Sequence, residues 1–125
     1  MRIAISLLMI AGLAVFAPAQ TPNLARFDKT IAGFEAKDKD HPPPKDPIVF
    51  TGSSSIARWK DVAKAFPEYP VLNRGFGGST TPEVIHYFDR VIAVYKPRVI
   101  VFFCGSNDLA GKRTPQQVIT DFGTF

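Results

Sequence analysis

The chain has 125 residues, 46% hydrophobic and 21% charged, with fifteen Lys/Arg against eleven Asp/Glu and a formal net charge of +4. That balance suits a soluble globular domain and excludes a disordered chain, while a single cysteine, Cys104, excludes an intrachain disulfide scaffold. The basic residues are scattered singly, without the one-sided clustering of a nucleic-acid footprint, so nucleic acid is not expected as a partner.

Met1-Arg2, the apolar run Ile3 to Phe16 and the small-residue site Ala17-Pro18-Ala19 read as a secretory signal peptide over residues 1–19, cleaved after Ala19. This predicts a secreted or periplasmic protein. No later apolar run approaches the ~18 residues that span a bilayer, so no membrane association is expected after cleavage. Residues 20–46 form an N-terminal appendage. Leu24, Phe27, Ile31 and Phe34 fall at 3-4-3 spacing and predict an amphipathic helix that packs on the body of the domain. The connector His41-Pro42-Pro43-Pro44-Lys45-Asp46-Pro47 is too proline-rich for helix or central strand.

From Pro47 onward the pattern alternates. Ile48 to Thr51 is a short buried strand ending at Gly52, and Ser55 to Ala65 reads as one helix, with Ile56, Trp59, Val62 and Phe66 on its apolar side and Trp59 in the core. Val71 to Asn73 is a second strand, closed by Gly75-Phe76-Gly77-Gly78. Thr80 and Glu83 have capping-box spacing, with Pro82 in the first turn, and predict a helix whose buried face carries Val84, Phe88, Val91 and Ile92. Val99 to Phe103 is the most apolar strand, and its unbroken hydrophobicity predicts burial on both faces. Thr114-Pro115-Gln116-Gln117 opens a last helix by the same capping logic. This order predicts an α/β layered fold with a parallel sheet.

Ligands in such a sheet bind at the carboxyl ends of the strands. Here those ends are Gly52-Ser53-Ser54-Ser55, Asn73-Arg74-Gly75-Phe76-Gly77-Gly78-Ser79 and Gly105-Ser106-Asn107-Asp108. The first brings hydroxyls to a strand-to-helix turn, the second glycines that permit close approach to the backbone, and the third an amide donor. Three adjacent hydroxyls leave the choice of a nucleophile open on pattern alone. Cys104 reads as core, with no Cys/His cluster for a metal. Arg58 is placed to face the cleft, and Arg74 reads as a surface ion pair. Gly75 to Gly78 lacks the Lys-Ser/Thr of a phosphate-binding loop.

Together the three loops resemble, block by block, the SGNH or GDSL-like hydrolase family of esterases and lipases, in a secreted bacterial branch. Gly52-Ser53-Ser54-Ser55-Ile56 resembles the G-D-S-L block with Ser53 in place of Asp, Asn73 to Thr80 the second block, and Gly105-Ser106-Asn107-Asp108 the G-x-N-D block. The resemblance implies a three-layer α/β/α flavodoxin-like sheet over residues 47–125, with Ser54 as nucleophile and Gly78 and Asn107 in the oxyanion hole. It implies a serine esterase that hydrolyses acyl or acetyl esters, with a small-molecule or carbohydrate ester as substrate and no cofactor. The family's D-x-x-H block is absent from the sequence, and neither His41 nor His86 is placed to replace it. Only three of the sheet's strands are visible, in the expected order 2-1-3 with the third on the edge. The chain therefore reads as the N-terminal part of such a domain, truncated after the third strand and inactive by itself, because a serine without a base is a poor nucleophile. The alternative is a non-catalytic ligand-binding module or an inactive fragment of the same fold.

Overall fold

The computed structural model describes residues 23–125. The signal peptide expected over residues 1–19 lies outside the described residues.

Three parallel strands, β1 (Ile48–Gly52), β2 (Val71–Gly75) and β3 (Val99–Phe103), form a sheet in the order β2-β1-β3. Ile48 pairs with Val71 on one side and Val99 on the other, and the ladders run to Gly52 opposite Gly75 and Phe103. All three strands thus end at the same level. The pleat sends alternate β1 residues to opposite faces. Val49 packs with Phe27, Ile31, Phe76, Val84, Tyr87, Val91 and Ile92, whereas Phe50 packs with Ile56 and Val62. These two cores glue helices to both faces and give the expected three layers.

On the first face lie α1 (Asp28–Asp40), preceded by a 3-10 turn over Leu24–Phe27, and α4 (Thr81–His86) and α5 (Phe88–Val91). On the second lie α2 (Ser54–Arg58) and α3 (Val62–Ala65). After β3 come α6 (Ser106–Ala110) and α7 (Pro115–Thr124), whose Phe122 packs at a tilt against Phe102 with ring centroids 5.8 Å apart. No helix among the described residues is long and apolar enough to cross a membrane.

The helix expected over Ser55 to Ala65 is broken into α2 and α3. Asn73, on β2, donates its amide to the carbonyls of Ile56 (2.8 Å) and Trp59 (3.0 Å), and so ends α2 early. Trp59, expected in the core, is 39% exposed and lies edge-on over Phe50 as a lid on the second core. The helix opened by Thr80 is interrupted at Tyr87 and again at Ile92. Burial of β3 on both faces is not observed either: Val99 and Phe103 are 47% and 55% exposed, because among the described residues β3 has a partner strand only on its β1 side.

The amphipathic helix docks through charges as well as its apolar stripe. Asp38 binds the Arg74 guanidinium, which is sandwiched between the rings of Phe34 and Tyr95. Glu35 takes two bonds from Arg90, and Tyr87 donates to Asp28 at 2.9 Å. Arg74 is therefore a buried anchor for α1, only 7% exposed, where a surface ion pair was expected.

The capping box at Thr80 is present and is reinforced. The Glu83 carboxylate, 2% exposed, accepts from the Thr80 N–H and hydroxyl, both at 2.8 Å, and from Arg26. Burial alone would push its pKa up, but the bonds from Arg26 and Thr80 outweigh it and hold Glu83 below the usual carboxylate range. A carboxyl whose folded pKa is depressed contributes stability above its unfolded pKa and loses it as pH falls through the folded value. The thermal midpoint is therefore expected to fall more steeply below about pH 4 in the natural chain than in Glu83→Gln, as read by circular dichroism.

Candidate active site

The three strand ends converge on one edge of the sheet. The Ser53 N–H donates to the Phe103 carbonyl (3.1 Å) and the Phe76 N–H to the Gly52 carbonyl (2.9 Å), so the first loop is tied to both neighbours through the backbone. Ser54 is the first residue of α2 and is half-buried. Ser53 stands at the N-cap in extended conformation, yet its hydroxyl makes no capping bond. It accepts instead from Asn107.

Asn107 joins all three loops. Its Nδ2 donates one N–H to the Ser53 hydroxyl at 2.6 Å and the other to the Ser79 carbonyl at 2.9 Å. The next residue, Asp108, is fully buried and accepts from the Thr81 N–H at 3.0 and 3.1 Å, which fastens the third loop to the start of α4. Arg113 lies 3.5 Å from the same carboxylate.

The glycine-rich loop turns through Phe76-Gly77-Gly78-Ser79, with the Ser79 N–H on the Phe76 carbonyl at 3.3 Å. Gly78, third in the turn, has φ +84°, a left-handed value that glycine adopts without the steric cost borne by other residues. Gly77 lies beside the first loop: a Cβ placed on it would stand 3.8 Å from that of Ser54. The backbone N–H groups of Ser54 and Gly78 find no acceptor among the described residues. The three strand ends thus carry two backbone N–H groups without an acceptor and an Asn107 amide whose N–H groups bond Ser53 and Ser79.

Among the described residues the Ser54 hydroxyl has one side-chain hydrogen-bond partner, Nη2 of Arg58 at 3.3 Å, so Arg58 does face this loop. No imidazole or carboxylate among the described residues hydrogen-bonds Ser54. His41 and His86 are exposed, and the His86 ring rests edge-on against Tyr87. Cys104 is half-buried, with its thiol toward the Ser79 carbonyl at 3.4 Å, and burial pushes its pKa up. A cavity of about 290 Å³ between β3 and α7, lined by Phe102, Cys104, Val118 and Phe122 among others, includes none of Ser54, Gly78 and Asn107. Among the described residues no three His, Cys, Asp or Glu side chains converge as a metal site.

Two contributors escaped the sequence reading. Ser53 appeared there as one of three adjacent hydroxyls and as a departure from a motif, and Asn73 as the strand end that opens the second block. Both act through contacts with residues far away in sequence, for which periodicity carries no signal.

No protein-family model and no curated protein matches the sequence. Solved structures do. A GDSL-like lipase from Bacteroides thetaiotaomicron VPI-5482 superposes with a TM-score of 0.64 at 18% identity, covering 81% of this chain and 51% of that one. The fold is that of the GDSL-like lipases. An acylhydrolase candidate from Bacteroides fragilis NCTC 9343 shares the GDSL-like fold at TM-score 0.60 and 21% identity, with 82% and 49% of the two chains covered. A platelet-activating-factor candidate from Streptococcus pneumonia gives 0.62 and 20%, with coverage of 79% and 46%. The chain thus spans about half the length of the GDSL-like structures it matches.

Proposed function

We propose that this chain carries the nucleophile and oxyanion hole of a serine ester hydrolase. The observation that supports this best is Asn107, which bridges the first and second loops beside Ser54. In the proposed reaction Ser54 Oγ attacks the ester carbonyl carbon and its proton passes to a base. The carbonyl oxygen gains the negative charge, held by the Ser54 and Gly78 N–H groups and by Asn107, whose N–H to Ser53 is the one that turns to it. Collapse breaks the bond to the alcohol, which takes the proton back from the base, and water then hydrolyses the acyl-serine. The base is a histidine from a D-x-x-H segment outside these 125 residues. Acetyl or short acyl esters, including those of carbohydrates, are the proposed substrates, in keeping with export by the leader read over residues 1–19. A ligand-binding module of the same fold is the second reading, favoured by the lack of a base at Ser54 among the described residues.

Exogenous imidazole separates the two readings. Mixed with p-nitrophenyl acetate in imidazole buffer, the proposed enzyme releases p-nitrophenol in a burst stoichiometric with the protein, and a binding module gives no burst. Asn107→Ala is expected to slow that burst by about 10²-fold, the usual cost of losing one oxyanion donor. A burst of unchanged rate in a folded Asn107→Ala variant contradicts the assignment.

A further inference from the structure

The glycine loop is held from a side on which no catalytic part was expected. Arg26 belongs to the 3-10 turn Leu24–Phe27, in the appendage that the apolar spacing marked only for packing. Its Nη2 donates to the Gly78 carbonyl at 2.7 Å and to Glu83 Oε2 at 2.9 Å, and its Nε pairs with Glu83 Oε1. The guanidinium is fixed in turn by the Phe27 ring, 4.4 Å below it, and Phe27 packs edge-on against Phe76 at 4.9 Å.

Glu83 also accepts from Thr80, so the residues on either side of Ser79 are both held by the Arg26–Glu83 pair. Asn107 holds the Ser79 carbonyl between them. This matters because two successive glycines put little steric resistance in the way of a peptide flip. A flip at Gly77–Gly78 reverses the direction of the Gly78 N–H. The bond to the Gly78 carbonyl anchors the turn on its far side.

We propose that Arg26 is a positioning residue for the oxyanion hole: by holding the Gly78–Ser79 peptide through the Gly78 carbonyl it restrains the Gly78 backbone at φ +84°, and with it the adjoining Gly77–Gly78 peptide that carries the Gly78 N–H, so that the N-terminal appendage orders the site without touching substrate. This rests on the proposed function insofar as Gly78 is the donor. A plain docking ion pair needs only the charge facing Glu83, which lysine supplies. The bond to Gly78 needs the second arm of the guanidinium fork, which lysine lacks.

The test compares Arg26→Lys and Arg26→Ala with the natural 125-residue chain by amide hydrogen exchange and ¹⁵N–¹H spectra. Expected in both variants is at least tenfold faster exchange at Ser79 and Thr80, whose N–H groups are bonded to Phe76 and Glu83, and a changed chemical shift at Gly78, with Val49 and Phe50 in β1 unaltered. In imidazole buffer the acetylation rate of Ser54 falls about tenfold to hundredfold, with the concentration of p-nitrophenyl acetate at half-saturation unchanged. Gly78 behaviour in Arg26→Lys identical to the natural chain overturns the proposal. So does faster exchange spread evenly into β1, or a loosened Gly78 with acetylation at the natural rate. Absence of acetylation in the natural chain strikes at the proposed function alone, and exchange at Ser79 with the chemical shift of Gly78 then decides whether Arg26 orders the turn.

Discussion

Replacing Ser54 with alanine is expected to lower the rate of acyl transfer in imidazole buffer by about 10⁴-fold or more, to the background given by binding and the oxyanion donors. No neighbour can substitute for it. Ser53 is buried, with its hydroxyl engaged by Asn107, and Ser55 is exposed on the outer side of the turn. Ser55→Ala is accordingly expected to react like the natural chain, whereas Ser53→Ala removes the acceptor that holds Asn107 and gives an intermediate loss. Stopped-flow release of p-nitrophenol measures all three. A Ser54→Ala variant that keeps its burst has its nucleophile elsewhere.

Gly52→Ala is expected to cost about 4 kcal/mol of folding stability, enough to unfold a marginal domain. Gly52 ends β1 at φ +128°, a conformation that other residues rarely adopt. A Cβ there would stand 2.1 Å from the Phe103 carbonyl oxygen. That oxygen is backbone of the neighbouring strand and accepts the Ser53 N–H, so relief requires parting β1 from β3 where the Ser53-Ser54 turn begins. Urea denaturation followed by circular dichroism should show the loss as a lowered midpoint. A midpoint within about 0.3 M of the natural chain, which is under about 1 kcal/mol for a slope of about 1–3 kcal/mol per M, shows that the turn relaxes at little cost.

Gly52 and the serines after it were legible as a strand-to-helix turn, and the choice of Ser54 among them came from the resemblance. Strands, capping boxes and glycine turns are local patterns. Ile48 to Gly52, Val71 onward and Val99 to Phe103 were legible as strands, and Thr80–Glu83 and Thr114–Gln117 as helix starts, because each depends on residues within a few positions of one another. Their assembly into β2-β1-β3 was legible through the resemblance to SGNH hydrolases and is matched by structures with the GDSL-like fold.

What was misread depends on distant partners. Trp59 has the spacing of a core residue, but Asn73 draws off the carbonyls that would have continued its helix, and the ring is left half-exposed over Phe50. Hydrophobicity in β3 registers the strand's demand for cover and not what lies beside it. Arg74 reads as a surface ion pair, yet its partner Asp38 lies on a helix 36 residues earlier and Arg74 itself is buried. Within the site, the positions of Ser54, Gly78 and Asn107 on adjacent loops were legible, and the parts that hold them were not. Arg26 meets Glu83 across 57 residues and Asn107 meets Ser53 across 54.

The central claim is that Ser54 is the group that accepts an acyl or phosphonyl unit at this sheet edge. The most direct measurement treats the chain with a fluorophosphonate in imidazole buffer and locates the adduct by tandem mass spectrometry of the peptide containing Ser53, Ser54 and Ser55. The account predicts a single phosphonyl group on Ser54, formed in the natural chain and absent from Ser54→Ala. A phosphonyl group on Ser53 or Ser55, on a serine outside this loop, or on no residue at all contradicts it.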